Sequence, residues 1–412
     1  MNIKLQRKID RIVGTFMCRI FSLFPKKRGK VSIYEKPSRI LVILLSEMGS
    51  LVLARPMFDY IKERYPRASI YVLLFDRNKA CLEILDILPS ENIISISGES
   101  LSGLLKDSVR ALMEIRRNRI DTVLDCELFS RISSIFSFLS GANIRVGFHP
   151  YNQEGLFRGN FINRPLLYNP YRHISQQFLA LARAIESEEI PKIKYLFSNE
   201  NVKMPHLRIN REEMNGVWKR LMRDFPQILG KNLIFIYPSG GLLPIRAWPL
   251  QYFCTVAADL IRNGYAVGIT GMESDRGFAR EIADFCESEN CLDLTGYTKT
   301  VRELMILFHF GSLLITNDGG PGHFASMTPI PAIILYGPET PTLYGSLDEK
   351  AVNLHVPLSC SPCLTAYNHR NSPCDGDNVC LKSIAPKVVL EKAYGILKDE
   401  THDALREKMD NF

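Results

Sequence analysis

The sequence predicts an α/β protein built from two Rossmann-like domains. The chain has 412 residues, which is more than one hydrophobic core usually serves. Short apolar runs alternate with segments of helical periodicity, and this alternation occurs twice, before and after a stretch interrupted by prolines. Open sheets of this type bind ligands at the carboxyl ends of their strands. We therefore expect two domains that face a central cleft.

The N-terminal domain is predicted to span residues 38–200. Residues 40–45 form an uninterrupted apolar run, which is typical of a buried parallel strand. Helical periodicity follows over residues 51–65 and stops at Pro66. Further strands are predicted at residues 69–75, 93–96, 122–124 and 144–146, and further helices at residues 101–117, 129–139 and 173–186.

The C-terminal domain is predicted to span residues 229–385, after a linker at residues 201–228. A final helix is predicted over residues 387–408, within a C-terminal segment 386–412, and is expected to cross back to the first domain. Strands of this domain are predicted at residues 233–238, 266–270, 292–294, 313–316 and 332–336, and helices at residues 250–262, 274–287 and 301–310.

Positive charge is concentrated at the start of the chain. Nine Lys or Arg and one Asp give the first thirty residues a net charge of +8, so the rest of the chain carries −1 and predicts no nucleic-acid partner. Apolar residues recur at helical spacing within residues 1–37, which predicts a basic amphipathic helix. Such a helix either lies on an anionic membrane surface or packs against its own domain.

The cysteines and the apolar segments indicate the cellular compartment of the protein. Six of the ten cysteines are scattered through apolar or helical stretches, as buried small hydrophobic residues would be. No segment has the form of a signal peptide or of a transmembrane helix. We therefore expect a cytoplasmic protein, peripheral on the inner face of the inner membrane.

Several enzyme classes are disfavoured by motifs that are missing. A nicotinamide-dependent dehydrogenase should have G-x-G-x-x-G between its first strand and helix. Residues 46–50, SEMGS, contain one glycine instead. The P-loop motif and the H-E-x-x-H motif are also missing from the sequence.

The strongest local motif is TNDGGPGHFASM, residues 316–327, which follows an apolar strand and opens a helix. Gly319 and Gly320 allow backbone amides to approach an anion, so the motif is suited to a diphosphate, although Gly-Gly after a strand is often only a tight turn. Asp318 is better placed for sugar hydroxyls than for phosphates. His323 either contacts a phosphate oxygen or packs.

This motif, with the later Tyr-Gly-Pro, resembles the donor-site signature of glycosyltransferase family 9, the heptosyltransferases. The family pattern D-[ST]-G-P-x-H is matched from Asp318 to His323, with Gly319 in place of the hydroxyl residue. The resemblance implies a GT-B-like fold and inverting transfer from ADP-heptose or a related nucleotide sugar. The implied acceptor is Kdo-lipid A or the core oligosaccharide of lipopolysaccharide, and no cofactor is implied for catalysis.

The resemblance also implies further donor-binding residues. Residues 239–249 resemble the family segment P-G-x…K-x-W-P, with Arg246 as the cation for the donor diphosphate. Residues 270–275 resemble the nucleoside-binding loop, where Glu273, or alternatively Asp275, would bind the ribose hydroxyls.

The sequence departs from the family mainly at the position of the general base, which in the family is an aspartate. Family members have Gly-Asp in the first loop, whereas this chain has Gly49 and Ser50, and serine is too weak a base to act unaided. Glu47 is the nearest carboxylate, and Asp125 and Glu127 are alternatives. The other possibility is a donor-binding family member with lost or altered catalysis.

Two further groups complete the candidate residues. The stretch containing Arg145 resembles the family's acceptor border, which makes Arg145, Arg158 and His173 acceptor candidates. Cys360, Cys363, Cys374 and Cys380 have a spacing that permits a structural zinc ion, while disulfides and free thiols stay open.

Overall fold

The computed structural model divides the chain into two compact units. Unit 1 comprises Met1–Val202 and Ala366–Arg370, and unit 2 comprises Lys203–Thr365 and Asn371–Phe412. The residues that the structure describes are 3–24, 36–45, 47–98, 100–128, 130–148, 157–187, 204, 206–365 and 371–399.

Unit 1 contains a six-stranded parallel sheet with the order β3-β2-β1-β4-β5-β6. The strands are β1 (Arg39–Ile43), β2 (Ser69–Phe75), β3 (Ile93–Ile96), β4 (Thr122–Asp125), β5 (Ile144–Phe148) and β6 (Arg164–Leu166). The helices are α1 (Ile3–Ile9), α2 (Thr15–Phe21), α3 (Met48–Leu53), α4 (Arg55–Arg64), α5 (Lys79–Leu85), α6 (Leu101–Arg117), α7 (Arg131–Leu139) and α8 (Ile174–Arg183).

Unit 2 contains a second six-stranded parallel sheet, with the order β12-β11-β10-β7-β8-β9. The strands are β7 (Leu233–Tyr237), β8 (Ala266–Gly271), β9 (Cys291–Thr295), β10 (Gly311–Asn317), β11 (Ala332–Tyr336) and β12 (Ala351–His355). The helices are α9 (Arg211–Asp224), α10 (Leu250–Arg262), α11 (Arg276–Cys286), α12 (Val301–Phe308), α13 (Gly320–Ala325), α14 (Pro341–Tyr344), α15 (Val379–Lys382) and α16 (Pro386–Asp399).

The central strands explain why the sequence forms these sheets. Strands β1 and β7 are almost entirely apolar, β10 has an apolar centre, and nearly all residues of the three strands are buried. A strand with two buried faces lies inside a parallel sheet covered by helices on both sides. The predicted α/β class with two Rossmann-like sheets is therefore confirmed. In each unit, the carboxyl ends of the strands lie along one edge of the sheet.

Two predicted segments differ from the structure. The predicted linker contains helix α9, which begins at a capping box formed by Asn210 and Glu213. Trp218 of α9 packs on Phe310, with 5.0 Å between the ring centroids, so α9 belongs to unit 2. The described part of the final helix, α16, packs its apolar residues into the core of unit 2 rather than extending away from it. Residues 400–412 lie outside the described residues.

The predicted N-terminal helix is present over part of its length. It consists of α1, a π-helical turn at Asp10–Gly14, and α2, and we call these 19 residues, 3–21, the N-terminal helix. Residues 25–35 of the predicted basic segment lie outside the described residues. Among the helices that the structure describes, none has the length and apolarity needed to cross a bilayer.

Candidate functional site

The predicted donor-binding residues lie at the carboxyl-end edge of the sheet in unit 2. Arg246 follows β7, Glu273 follows β8 and Asp318 follows β10, each within the connection to the next helix. Glu339 follows β11 at the same edge. Because the strands are parallel, the order of these side chains along the edge follows the strand order β11-β10-β7-β8.

Asn317, the last residue of β10, fixes the position of the loop that carries Arg246. Its side-chain oxygen accepts a hydrogen bond from the backbone N–H of Trp248 (2.9 Å). Its side-chain nitrogen donates to the carbonyl oxygens of Pro238 (2.8 Å) and Ser239 (3.2 Å). Trp248 is itself buried, and its indole N–H donates to the carbonyl of Ile384 (2.9 Å). The loop after β7 is therefore held against the end of β10.

This arrangement brings Arg246 between two buried carboxylates. Its Nε lies 3.5 Å from Oδ2 of Asp318, and its Nη2 lies 2.7 Å from Oε2 of Glu339. All three residues are less than 10% exposed. The formal charges of the three side chains sum to −1, so a bound diphosphate would need stabilisation from other groups as well as from Arg246.

Glu339 was not identified from the sequence. The sequence contained a signal for it, because Glu339 directly follows the Tyr-Gly-Pro motif, whose tyrosine, Tyr336, is the last residue of β11. Its pairing with Arg246 could not be inferred, since it depends on β11 lying beside β10 in the sheet.

The glycines after Asp318 differ in their surroundings. A Cβ added at Gly322 would lie 2.8 Å from Cδ1 of Ile334, so this glycine is required for close packing of α13 on β11. A Cβ at Gly319 would meet no atom closer than 4.0 Å, and the φ of 169° is extended backbone that any residue adopts. The structure thus has room for a Cβ at this position, where the family pattern has a hydroxyl residue. His323 is buried in α13, which is only 6 residues long.

The structure of the loop after β8 distinguishes between Glu273 and Asp275, the two candidates for contact with the ribose. Asp275 is buried, and its Oδ2 accepts a hydrogen bond from the backbone N–H of Met272 (2.8 Å), so it stabilises the turn. The side chain of Glu273 is 79% exposed. Gly296 lies beside Glu273, since a Cβ on Gly296 would be 3.2 Å from Cβ of Glu273. Glu273 is therefore the better placed of the two for an external ligand.

In unit 1, the loop after β1 carries the predicted catalytic residues. Glu47 is the N-cap residue of α3 and Ser50 lies in its first turn, and both are partly exposed. The backbone N–H of Leu45 donates to Oε1 of Glu127 (2.7 Å), and the side-chain nitrogen of Asn78 donates to the carbonyl of Leu45 (2.8 Å). Glu127 thus holds the loop in place. Ser46 lies outside the described residues.

Asp125, another candidate base, is fully buried and forms an ion pair with Arg158. Burial raises the pKa of Asp125 to about 6, although the guanidinium of Arg158 acts in the opposite direction. Arg158 also donates to the carbonyl oxygens of Ser130 (2.8 Å) and Glu127. These contacts link β4 to the start of α7 within unit 1.

The other two acceptor candidates are also engaged within unit 1. Arg145 is buried and donates through Nε to the carbonyl of Phe161 (2.7 Å), and burial lowers its pKa. His173 is the N-cap residue of α8 and accepts from the backbone N–H of Ser175 (3.3 Å) at Nδ1. The structure gives Arg145, Arg158 and His173 roles in the domain, and their contact with an acceptor stays a prediction.

The four late cysteines do not form a coordinating cluster. Cys360 and Cys374 are exposed, Cys380 is buried, and Cys363 accepts a hydrogen bond from Oγ of Ser372 (3.0 Å). Across the described residues, no three His, Cys, Asp or Glu side chains are grouped so that they could hold a metal ion. The predicted zinc ion stays a prediction, without a coordination geometry to support it.

Comparison with known proteins identifies the family. The sequence profile of glycosyltransferase family 9 (heptosyltransferase) matches residues 109–372. Lipopolysaccharide heptosyltransferase 2 of Salmonella typhimurium is 26% identical over 376 residues, which cover 88% of this chain and 99% of the relative. The protein of the same name from Escherichia coli is 24% identical over 373 residues, with the same coverage of both chains.

Solved structures agree on the fold. The E. coli ADP-heptose lipopolysaccharide heptosyltransferase II has a TM-score of 0.65 at 22% identity, covering 88% of this chain and 99% of that chain. A glycosyltransferase family 9 protein from Veillonella parvula has a TM-score of 0.66 at 20% identity, covering 88% of this chain and 98% of that chain. The two sheets therefore have the GT-B-like form predicted from the sequence. The chain belongs to glycosyltransferase family 9, the heptosyltransferases, and is a glycosyltransferase.

Proposed function

We propose that the protein transfers a heptose from ADP-heptose, or a related nucleotide sugar, to the inner core of lipopolysaccharide, with inversion at the anomeric carbon and without a metal ion at the sugar. The observation that carries this proposal is the cluster of Asp318 and Arg246, which lies at the ligand-binding edge of unit 2. The two relatives from Salmonella typhimurium and Escherichia coli are both named lipopolysaccharide heptosyltransferase 2, which supports this proposal.

The positions in unit 2 support a nucleotide-sugar donor. Glu273 presents an exposed carboxylate at the end of β8, where it would accept hydrogen bonds from ribose hydroxyls. Two strands away, Asp318 would accept from sugar hydroxyls, and Arg246 would meet the diphosphate. A related E. coli heptosyltransferase has been solved with ADP, with a TM-score of 0.58 at 13% identity.

The N-terminal helix supports a membrane-attached acceptor such as Kdo-lipid A. One face of the helix packs on unit 1, because Cys18 is buried against Ile135 and Phe161. The opposite face exposes apolar residues beside the exposed cations Lys8, Arg11 and Arg19. A helix of this kind would hold the enzyme on the anionic cytoplasmic face of the inner membrane. The two interpretations of this helix are therefore compatible.

The donor assignment is tested by Asp318→Ala, with Asp284→Ala on the exposed surface of α11 as the matched control. Transfer of labelled heptose from ADP-heptose to Kdo-lipid A should fall by roughly 10²-fold in Asp318→Ala, because a charge-assisted hydrogen bond to the sugar is lost. Arg246 keeps its partner Glu339 at 2.7 Å, so circular dichroism should show an unchanged fold. Normal turnover in this variant would remove Asp318 from the donor site.

A second candidate function is donor binding with lost or altered catalysis. It is favoured by the loop after β1, where Ser50 stands at the position of the family aspartate and Asp125 is fully buried in an ion pair. Calorimetric binding of ADP-heptose without transfer to any core acceptor would support this candidate.

A further inference from the structure

Helix α6 carries a stripe of apolar side chains on its outer face. Leu101, Leu105, Val109 and Met113 are each four residues apart, and their exposed fractions lie between 48% and 62%. Residues spaced by four lie on one side of a helix. The stripe therefore runs along most of the length of α6.

The stripe does not serve the core of unit 1. The opposite side of α6 buries Ala111 and Ile115, and Leu104 and Leu112 pack against the same core cluster. A helix that is apolar on both sides is normally covered on both sides, and contiguous exposed apolar surface usually marks an interaction site.

The charges around the stripe indicate the chemistry of the partner. At about 3.6 residues per turn, Lys106, Arg110 and Arg117 lie beside the stripe, and all three are exposed. Asp107 lies toward the sheet, where it accepts a hydrogen bond from the backbone N–H of Ser97 (3.0 Å) and pairs with Arg110 (3.2 Å). Lys106 and Arg117 are the cations beside the stripe that this carboxylate does not pair with. The outer face of α6 is therefore apolar and basic.

The N-terminal helix lies next to the start of α6. The side-chain nitrogen of Gln6 donates to the carbonyl of Gly98 (2.9 Å), two residues before the N-cap Ser100. Asp10 accepts from the backbone N–H groups of Arg131 (2.8 Å) and Ile132 (3.0 Å), which fixes the same helix to α7. Among the described side chains of the N-terminal helix, the exposed large apolar residues are Leu5, Ile12, Val13, Phe16 and Ile20.

We infer that the outer face of α6 and the exposed face of the N-terminal helix together form one surface that binds an anionic lipid bilayer. This inference rests on the membrane attachment proposed above and adds a second helix to it. A second copy of the chain is a poor occupant, because pairing this face with itself would oppose Lys and Arg side chains. Contact through two helices restricts rotation of unit 1 on the membrane more than contact through one.

Sedimentation with vesicles tests the inference on the full chain. The vesicles contain phosphatidylcholine with about one third phosphatidylglycerol, which supplies the anionic surface. The double variant Leu105→Gln, Val109→Gln should bind roughly tenfold more weakly than the unmodified protein. Leu229→Gln, at an exposed leucine of unit 2, is the matched control and should bind normally. Lys106→Gln should weaken binding about fivefold, and less at high salt.

A second double variant, Ile12→Gln and Phe16→Gln, separates this inference from the proposed attachment. If this variant loses vesicle binding while the α6 variant binds normally, α6 is excluded and the N-terminal attachment stands. Failure of the unmodified protein to bind would overturn both. Sedimentation velocity without lipid measures the oligomeric state. A dimer that is lost in the α6 variant would show that a second copy covers the stripe, which would overturn the inference.

Discussion

Single residues decide whether the chain uses the chemistry of its family. Two positions depart from the family pattern: Gly319 replaces a hydroxyl residue and Ser50 replaces an aspartate. The first departure leaves space for a Cβ, as the surroundings of Gly319 show. The second removes the carboxylate expected at the first turn of α3. Both positions could be identified from the sequence, because each lies within a short motif.

Replacement of Glu47 distinguishes the possible bases. If Glu47 abstracts the proton, Glu47→Gln should lower kcat by roughly 10²- to 10⁴-fold, with little change in donor affinity. Glu83→Gln, at an exposed acid of α5, is the control and should keep full activity. The measurements are steady-state transfer kinetics and calorimetric binding of the donor.

Ser50→Asp restores the family carboxylate and so tests whether the chain lacks a general base. Ser50 lies three residues after the N-cap Glu47, so a carboxylate there is adjacent to Glu47 and favoured by the helix dipole. A gain in kcat would show that the chain lacks its base. If Ser50→Asp leaves kcat unchanged and Glu47→Gln keeps full activity, Glu127 becomes the next candidate base. Its Oε1 accepts a hydrogen bond from the backbone N–H of Leu45 in the same loop.

At the scale of elements, local patterns were sufficient for strands and amphipathic helices. The bounds of β2, β3, β11, α6 and α10 match the sequence prediction residue for residue. Helix α9 was missed because its sequence, REEMNGVWKRLMRD, is strongly polar and only Val217 and Leu221 are buried. Strand β12 was missed because it lies at the edge of its sheet and none of its residues is fully buried.

The link between β10 and the loop after β7 should be measurable through Asn317. Asn317→Ala removes its buried hydrogen bonds to Pro238, Ser239 and Trp248, so the free energy of unfolding of unit 2 should fall by about 3 kcal/mol. Donor affinity should fall too, since the loop carries Arg246. Both tryptophans of the chain, Trp218 and Trp248, lie in unit 2, so tryptophan fluorescence during urea unfolding reports on this unit.

Asn263→Ala, at an exposed asparagine after α10, is the matched control for this measurement. Its free energy of unfolding should change by less than about 1 kcal/mol. Equal losses in the two variants would mean that the bonds of Asn317 contribute nothing specific to the loop. An unchanged donor affinity in Asn317→Ala would mean that the position of Arg246 does not depend on β10.

At the scale of the whole molecule, two α/β units could be predicted because the alternation of strands and helices occurs twice along the chain. The sequence also predicted that the candidate donor-binding residues lie at one edge of the sheet, since parallel strands place their carboxyl ends together. Contacts between distant residues could not be predicted. The burial of Arg158 against Asp125 and the pairing of Arg246 with Glu339 depend on strand order and on loop paths that no local pattern encodes.

Hydrogen exchange with and without ADP tests whether the nucleotide binds to unit 2. The donor-binding candidates Arg246, Glu273, Asp318 and Gly319 all lie in unit 2. ADP at about 100 times its Kd should therefore stabilise unit 2 by about 2.7 kcal/mol. Amides at the carboxyl-end edge of its sheet should exchange more slowly, while amides of residues 44–50 in unit 1 should be unaffected. The Asp284→Ala protein should behave identically. Protection confined to unit 1, with binding verified by calorimetry, would place the nucleotide in the other domain and contradict the donor assignment.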